Sequence, residues 1–486
     1  PAMLMQKLLD LKQVDTGIVV AEGYDYEIVD IMKQQNDNLS LLVTLKTDGN
    51  IEKSVVGSIM ESLKIDRESK EDYQRLVAIF ENRTLQMVSF TITEKGYSLT
   101  DSRGNYGQQI VEDFTNGPEV AESYIGKVAA LLHCRFLAGQ LPLAFVSMDN
   151  MSHNGDILKS AIHTFASNWE ENGLVTPEFV AYVNDPEKVS FPWSMIDKIT
   201  PRPDETVAQM LRKDGFEEVD YKVTQKNTYT AAFVNAEEAE YLVIEDAFPN
   251  GRPPLNKVGV IFTDRHTVNQ VETMKVTTCL NPIHTALAIF GCLLGYERIS
   301  DEMKNPLLKK LAEKVGYQEG LPVVVDPGII NPKEFIDEVV GVRLPNPFIP
   351  DTPQRIATDT SQKLAIRFGK TIESYLNSDT YDVASLEAIP FVLAGWLRYL
   401  MGIDDAGKVL EKSSDPRMTE VSAFVKDIKI GDTTIDRLNL VALLKDKTIF
   451  GVDLVAVNMA DKVLDLFEEM IASEGAVEKT LRKIVE

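Results

Sequence analysis

GPEVAESYIGKVAALLHCRFLAGQLPLAFVSMDN, residues 117 to 150, holds the unit that decides the fold. An apolar-periodic stretch from 117 to 139 reads as one long helix. PLAFVSMDN then reads as a strand that runs into a polar turn. A helix followed by a strand fits the alternation of a layered α/β domain.

Working outward, the same alternation appears on the N-terminal side. PAMLMQKLLDLKQ reads as a helix with proline in its first turn. TGIVVAEG is a β-branched strand, YEIVDIMKQQN a helix, SLLVTLKTDG a strand, EDYQRLVAIFEN a helix and LQMVSFTITEKGY a strand. Alternating strands and helices argue a parallel, doubly wound sheet. Beyond about 265 the pattern changes to helices, read over 283–297, 302–316, 354–377, 384–402, 435–446 and 460–472. The expected organisation is an α/β domain over 1–264 of Rossmann type, followed by a mostly helical domain over 265–486. A site is expected in the crevice between them.

Bulk properties narrow the function. The chain has 486 residues, 44% hydrophobic and 26% charged, with a net charge of −24. That charge repels phosphate backbones, and no basic run offsets it, so no nucleic-acid partner is expected. Cys134, Cys279 and Cys292 form no CxxC pair and lie in apolar surroundings. This argues against a disulfide framework or a zinc site and suits a reducing cytoplasm. No apolar run of about 18 residues is read, so no membrane partner is expected. Nothing marks an interface, which leaves a monomer or a weak homodimer.

Several segments carry polar residues where chemistry can occur. Glu22 ends the TGIVVAEG strand. An acid there can bond the ribose hydroxyls of NAD and repel a 2′-phosphate, or it can be a plain loop carboxylate. The glycine fingerprint G-x-G-x-x-G is absent from the chain. It is expected just before Pro1, which sets Glu22 at the usual distance of roughly 20 residues. SMDNMSHNGDILK places Asn150 and Asn154 at the carboxyl edge of the sheet, as oxyanion donors or as turn residues. FPWSMIDKITPRP contributes Asp197. RIATDTSQK contributes Arg355 and Lys363, with Ser361 nearby, as anion-binding groups or solvated charges.

KVTTCLNPIH, 275 to 284, concentrates Lys275, Asn281 and His284 at the mouth of an apolar helix, with Glu272 three residues before the lysine. Asn281–Pro282 reads as an N-cap followed by proline at the first helical position. Each residue alone is ordinary. Their concentration at a buried helix is not, because lysine is almost never fully buried without a partner.

Taken together, VSFTITEKGY, SMDNMSHNG, FPWSMIDKITP, VIEDAFPNGRPPL, VETMKVTTCLNPIHTALA, RIATDTSQK and LAGWLRYLMGIDD resemble the long-chain, polyol-specific mannitol dehydrogenase family. These seven stretches occur in the same order over about 400 residues. The resemblance implies an NAD(P)-dependent, metal-independent oxidoreductase, and Glu22 favours NAD (NADH) as its cofactor. Its substrates would be a small-molecule sugar, sugar acid or polyol. It implies Lys275 as general base and Glu272 as proton gate. Asn281 and Asn150 would hold the oxyanion, and His284 would bond substrate and help place the lysine. Asp197, Arg355 and Lys363 would be further substrate contacts. The physics is consistent: without zinc, a positioned base must take the hydroxyl proton as hydride leaves. Among substrate pairs, D-fructuronate and D-mannonate are favoured, with mannitol and fructose, or tagaturonate, as alternatives. A fold-retaining sugar- or cofactor-binding protein without turnover is the alternative of another class.

One departure bears on geometry. The family has four residues between the lysine and the asparagine; VTTCL makes five. It also has a small residue where Pro282 stands. One extra residue turns an α-helix by about 100°. A π-bulge or kink between 275 and 282 is therefore expected to absorb it.

Overall fold

The computed structural model describes residues 1–486, which divide into two compact units. The first comprises 1–45 and 51–269, the second 46–50 and 270–486. The division after residue 269 falls five residues beyond the expected 264, inside a helix, and the 46–50 turn is assigned to the second unit.

In the first unit the strand Leu143–Ser147 is buried at all five positions and lies parallel between Met87–Phe90 and Val189–Ser190. The preceding helix spans Tyr124–Leu137, shorter than the sequence suggests. It starts late because Ser123 caps it, accepting from Gly126 N at 3.3 Å. Buried Asp113 fixes that cap by accepting from the Glu122 and Ser123 amides at 2.8 Å each. At the helix C-terminus Arg135 is fully buried. It donates to the carbonyls of Phe80, Asn82, Leu85, Leu141 and Pro142, tying three chain segments together.

Parallel pairing recurs in Ile18–Glu22 with Ile59–Lys64, and in Phe233–Glu237 with Ser40–Leu45. Antiparallel partners are added by Ile51–Val56 and by Ser194–Asp197, which pairs with Tyr241–Glu245. The parallel α/β class holds, but the strands are distributed over several short sheets rather than one long one. Gly17 enters the first strand where a Cβ would sit 2.0 Å from Ser58 O, so only glycine fits.

Two expectations fail here for local reasons. LQMVSFTITEKGY is not one strand: it pairs over Met87–Phe90 and then turns into a short helix, Thr93–Tyr97. The Asp149 carboxylate accepts the Ile92 and Thr93 amides at 2.9 and 3.1 Å and draws the chain off the sheet. The polar strands Ile51–Val56 and Ile59–Lys64 escaped detection because their side chains alternate weakly.

The second unit is helical and built on two apolar helices, Asn281–Leu294 and Ala388–Leu400, the latter buried throughout. Phe290 and Phe391 stack at 4.4 Å, and Gly395 admits the Phe290 ring where a Cβ would be 2.6 Å away. Buried Glu319 accepts from the Glu387, Ala388 and Ile389 amides at 2.6, 2.6 and 2.7 Å. It satisfies the orphan donors of a helix start that lies in the core.

The helices read over 302–316 and 354–377 are interrupted. The first runs as Pro306–Glu313 and continues as a π-helix, Lys314–Gly320. The second is split at Asp359, whose φ of 55° is left-handed and whose amide bonds Ser414 O at 2.8 Å. It resumes as Thr360–Leu364, a π turn Ala365–Gly369, and Lys370–Leu376. Through its π turn, the helix Arg265–Leu294 is long and apolar enough to cross a membrane by length and composition, which corrects the sequence expectation. Most of it is buried inside the protein, as in a core helix.

Glu302 is fully buried under Gly291, and neither carboxylate oxygen has a hydrogen-bond partner. Burial pushes its carboxyl well above the ordinary 4.5. The sign follows: stability is fully present below the unfolded value and is lost as pH rises through the folded one. Glu302→Gln is expected to raise Tm at pH 8, gaining about 1–3 kcal/mol. The gap should close near pH 4.5. Melting curves at both pH values check this; a gap independent of pH contradicts it.

Candidate active site

In the first unit, Asn150 is exposed at the carboxyl end of the Leu143–Ser147 strand. Asn154 differs. It is fully buried. Its amide nitrogen reaches Asp149 O at 3.1 Å, Ser194 O at 3.0 Å and Ser194 Oγ at 2.8 Å, and its oxygen accepts from Ser194 N at 3.0 Å. With hydrogen bonds to Asp149 O and to Ser194, Asn154 locks the turn to the neighbouring strand. Asp149 adds a second lock, accepting from the buried Tyr97 hydroxyl at 2.6 Å. Asp197 is buried at the end of Ser194–Asp197, opposite Tyr241.

Glu22 ends the Ile18–Glu22 strand and faces the start of the Tyr26–Gln34 helix. Its Oε1 accepts from the Tyr24 and Asp25 amides at 2.6 and 3.1 Å. Gly23 beside it has no room for a side chain, since a Cβ would lie 2.5 Å from the Tyr124 ring. Burial and the Glu22 charge raise the Tyr124 hydroxyl.

In the second unit, the predicted irregularity is present. Lys275–Cys279 forms a π-helix, with Leu280 N bonded to Lys275 O at 3.1 Å, five residues back. Local sequence explains it. Val276, Thr277 and Thr278 are β-branched, and Thr277 Oγ1 bonds Thr273 O at 2.8 Å. Pro282 has no N–H for Thr278 O and its ring crowds that carbonyl. The chain breaks at Leu280 (φ −126°, ψ −62°) and resumes as Asn281–Leu294. The wider turn absorbs the fifth residue after Lys275.

Lys275 is 3% exposed. Asn281 is not the N-cap; Leu280 holds that position and no side chain caps the helix. The Asn281 carboxamide therefore remains available, while its carbonyl accepts from Thr285 Oγ1 at 2.8 Å. His284 Nε2 lies 3.2 Å from Oδ2 of Asp351. The distance is that of a pair, but the alignment is not that of a hydrogen bond, and Nε2 has no other partner. Oδ1 of the same carboxylate pairs with Arg355. Burial raises the Asp351 carboxyl, but His284 and Arg355 outweigh it and hold it below its ordinary value. So Arg355 is not a bare cation: Asp351 already offsets it.

Lys363 donates to Thr358 O. Burial and then the Arg367 charge lower its pKa, while Asp359 and Asp415 pull the other way. Arg367 lies on the Ala365–Gly369 π turn, which packs against the Lys275–Cys279 π turn, and donates to Thr285 Oγ1. Neither Asp351 nor Arg367 was found from sequence. Both reach the Asn281–Leu294 helix only through folding, Arg367 from 82 residues away. Neither carries a sequence signal that sets it apart from a surface charge.

Comparison with known proteins adds the following. Residues 7–257 match the mannitol dehydrogenase Rossmann domain, and residues 267–470 the mannitol dehydrogenase C-terminal domain. A D-mannonate oxidoreductase of Thermotoga maritima is 52% identical over 486 residues, all of this chain and 89% of that protein. A mannitol 2-dehydrogenase of Neosartorya fischeri is 29% identical over 96% of this chain and 86% of its own length. The ternary complex of Pseudomonas fluorescens mannitol 2-dehydrogenase with NAD and D-mannitol superposes with a TM-score of 0.67 at 28% identity. It covers 99% of this chain and 90% of that one.

Proposed function

The chain belongs to the mannitol dehydrogenase family, and on that premise we propose that it is a D-mannonate oxidoreductase, reducing D-fructuronate with NADH and oxidising D-mannonate with NAD. The observation that carries the reading is the 52% identity over the whole chain with a D-mannonate oxidoreductase. The three unpaired cysteines suit a reducing cytoplasm.

The nucleotide-binding end fits NAD on this chain's own residues. Glu22 closes a parallel strand with its carboxylate at a helix start, and Gly23 leaves only backbone beside Tyr124. Glu22 would hold the adenosine ribose hydroxyls. NAD, when bound, supplies the hydride acceptor, and NADH the donor.

The chain supplies the rest. Lys275 is the proton acceptor at the substrate hydroxyl in oxidation and the donor in reduction. Lys275 is buried, and without a metal a positioned side chain has to take the hydroxyl proton. Asn281 and Asn150 carry the amides suited to alkoxide character, since they add no charge. His284, held against Asp351, orients substrate. Glu272 passes the proton onward. Asp197, Arg355 and Lys363 contact substrate hydroxyls or its acid group.

The test is NADH oxidation by D-fructuronate, with D-mannonate identified as product, before and after exhaustive treatment with a metal chelator. Equal rates in both arms are expected. No D-mannonate, or a rate that collapses with chelation, overturns the proposal.

A further inference from the structure

Resting on that reading, the arrangement of cations in the second unit says which residue selects a sugar acid. Three cationic side chains lie between 355 and 367: Arg355, Lys363 and Arg367. Their neighbours differ. Arg355 is more than half exposed and paired with Asp351, so its charge is already met. Lys363 donates to a backbone carbonyl and has Asp359 and Asp415 nearby. Arg367 has no carboxylate partner. Its one hydrogen bond goes to the neutral Thr285 hydroxyl, which itself donates to Asn281 O.

A guanidinium presents a planar fork of donors suited to a carboxylate. Leaving one partly buried beside a hydroxyl is costly unless an anion arrives. Burial already pulls Arg367 down to about 10, a mark of a cation short of counter-charge. The location is specific. Thr285 follows His284 directly and lies one turn beyond Asn281 on the same helix. The Arg367 turn packs on the π turn that carries Lys275. A neutral sugar offers nothing to offset this charge; the carboxylate of a ketohexuronate or aldonate does.

We propose that Arg367, with Lys363 four residues earlier, binds the carboxylate of the substrate and is the specificity-determining residue for a sugar acid over a neutral sugar. Arg355, besides its contact with substrate hydroxyls, holds Asp351 beside His284.

The experiment compares native enzyme, Arg367→Met, Arg367→Lys and Arg355→Met on D-fructuronate and D-fructose with NADH, with melting curves for each. Arg367→Met is expected to lower kcat/KM for D-fructuronate at least tenfold more than for D-fructose, mainly through KM. Arg367→Lys should restore part of the loss. In the native enzyme, KM for D-fructuronate should rise with ionic strength more steeply than KM for D-fructose, a readout that survives if the methionine variant does not fold. Equal losses on both substrates, or discrimination lost in Arg355→Met instead, overturn the assignment while leaving the activity standing. No turnover of D-fructuronate by the native enzyme overturns the functional reading, and this inference with it.

Discussion

Replacing Lys275 with alanine is expected to lower turnover of D-fructuronate by about 10²- to 10⁴-fold, the usual contribution of a positioned acid–base group. NADH affinity should stay within about twofold of native, because the expected nucleotide contact, Glu22, lies in the other unit. Lysine 275 occupies a π turn whose hydrogen bond from Leu280 N uses the backbone carbonyl, so truncating the side chain leaves that bond intact. Its near-complete burial makes loss of packing a competing explanation. Two controls separate them: Lys275→Met keeps bulk without a base, and added methylamine should restore part of the alanine variant's rate. Stopped-flow NADH oxidation measures both. Activity within tenfold of native in either variant removes Lys275 from the proton-transfer role.

Glu319→Ala is expected to be the most destabilising single change in the helical unit, costing about 3–5 kcal/mol. The carboxylate satisfies three amides at the start of Ala388–Leu400, a helix with no exposed residue. Each buried donor left without a partner costs about 1–3 kcal/mol, and water cannot easily replace the acid there. For a unit of this size the loss corresponds to a Tm roughly 10 °C lower. Glu319→Gln, which keeps one acceptor oxygen, should lose less. Calorimetry of the three proteins checks the order; an alanine variant within 1–2 °C of native contradicts it.

The sequence was most readable where a residue count met a geometric rule. Five residues between Lys275 and Asn281, with Pro282 following, implied a π turn, and Lys275–Cys279 is one. Apolar runs marked the Leu143–Ser147 strand and the Asn281–Leu294 helix, because burial on all sides leaves a plain signal. Misreadings arose where side chains competed with the backbone. Asp149 drew Ile92 and Thr93 off a strand, and Asp359 in a left-handed conformation split a helix. Asn281–Pro282 looked like a cap, but the preceding π turn moved the helix start by one residue. No local pattern announces the bonds of buried Asn154 to Ser194. Asp351 and Arg367 carry no local pattern that separates them from surface charges. Only tertiary packing sets them against His284 and Thr285.

On the proposed reading, this enzyme acts on a sugar acid. The most direct measurement is kcat/KM with NADH for D-fructuronate against D-fructose on the native protein. A charge-assisted bond to the substrate carboxylate contributes about 1.5–3 kcal/mol, so a preference of roughly 10- to 100-fold for D-fructuronate is predicted. Parity, or a preference for D-fructose, would contradict it.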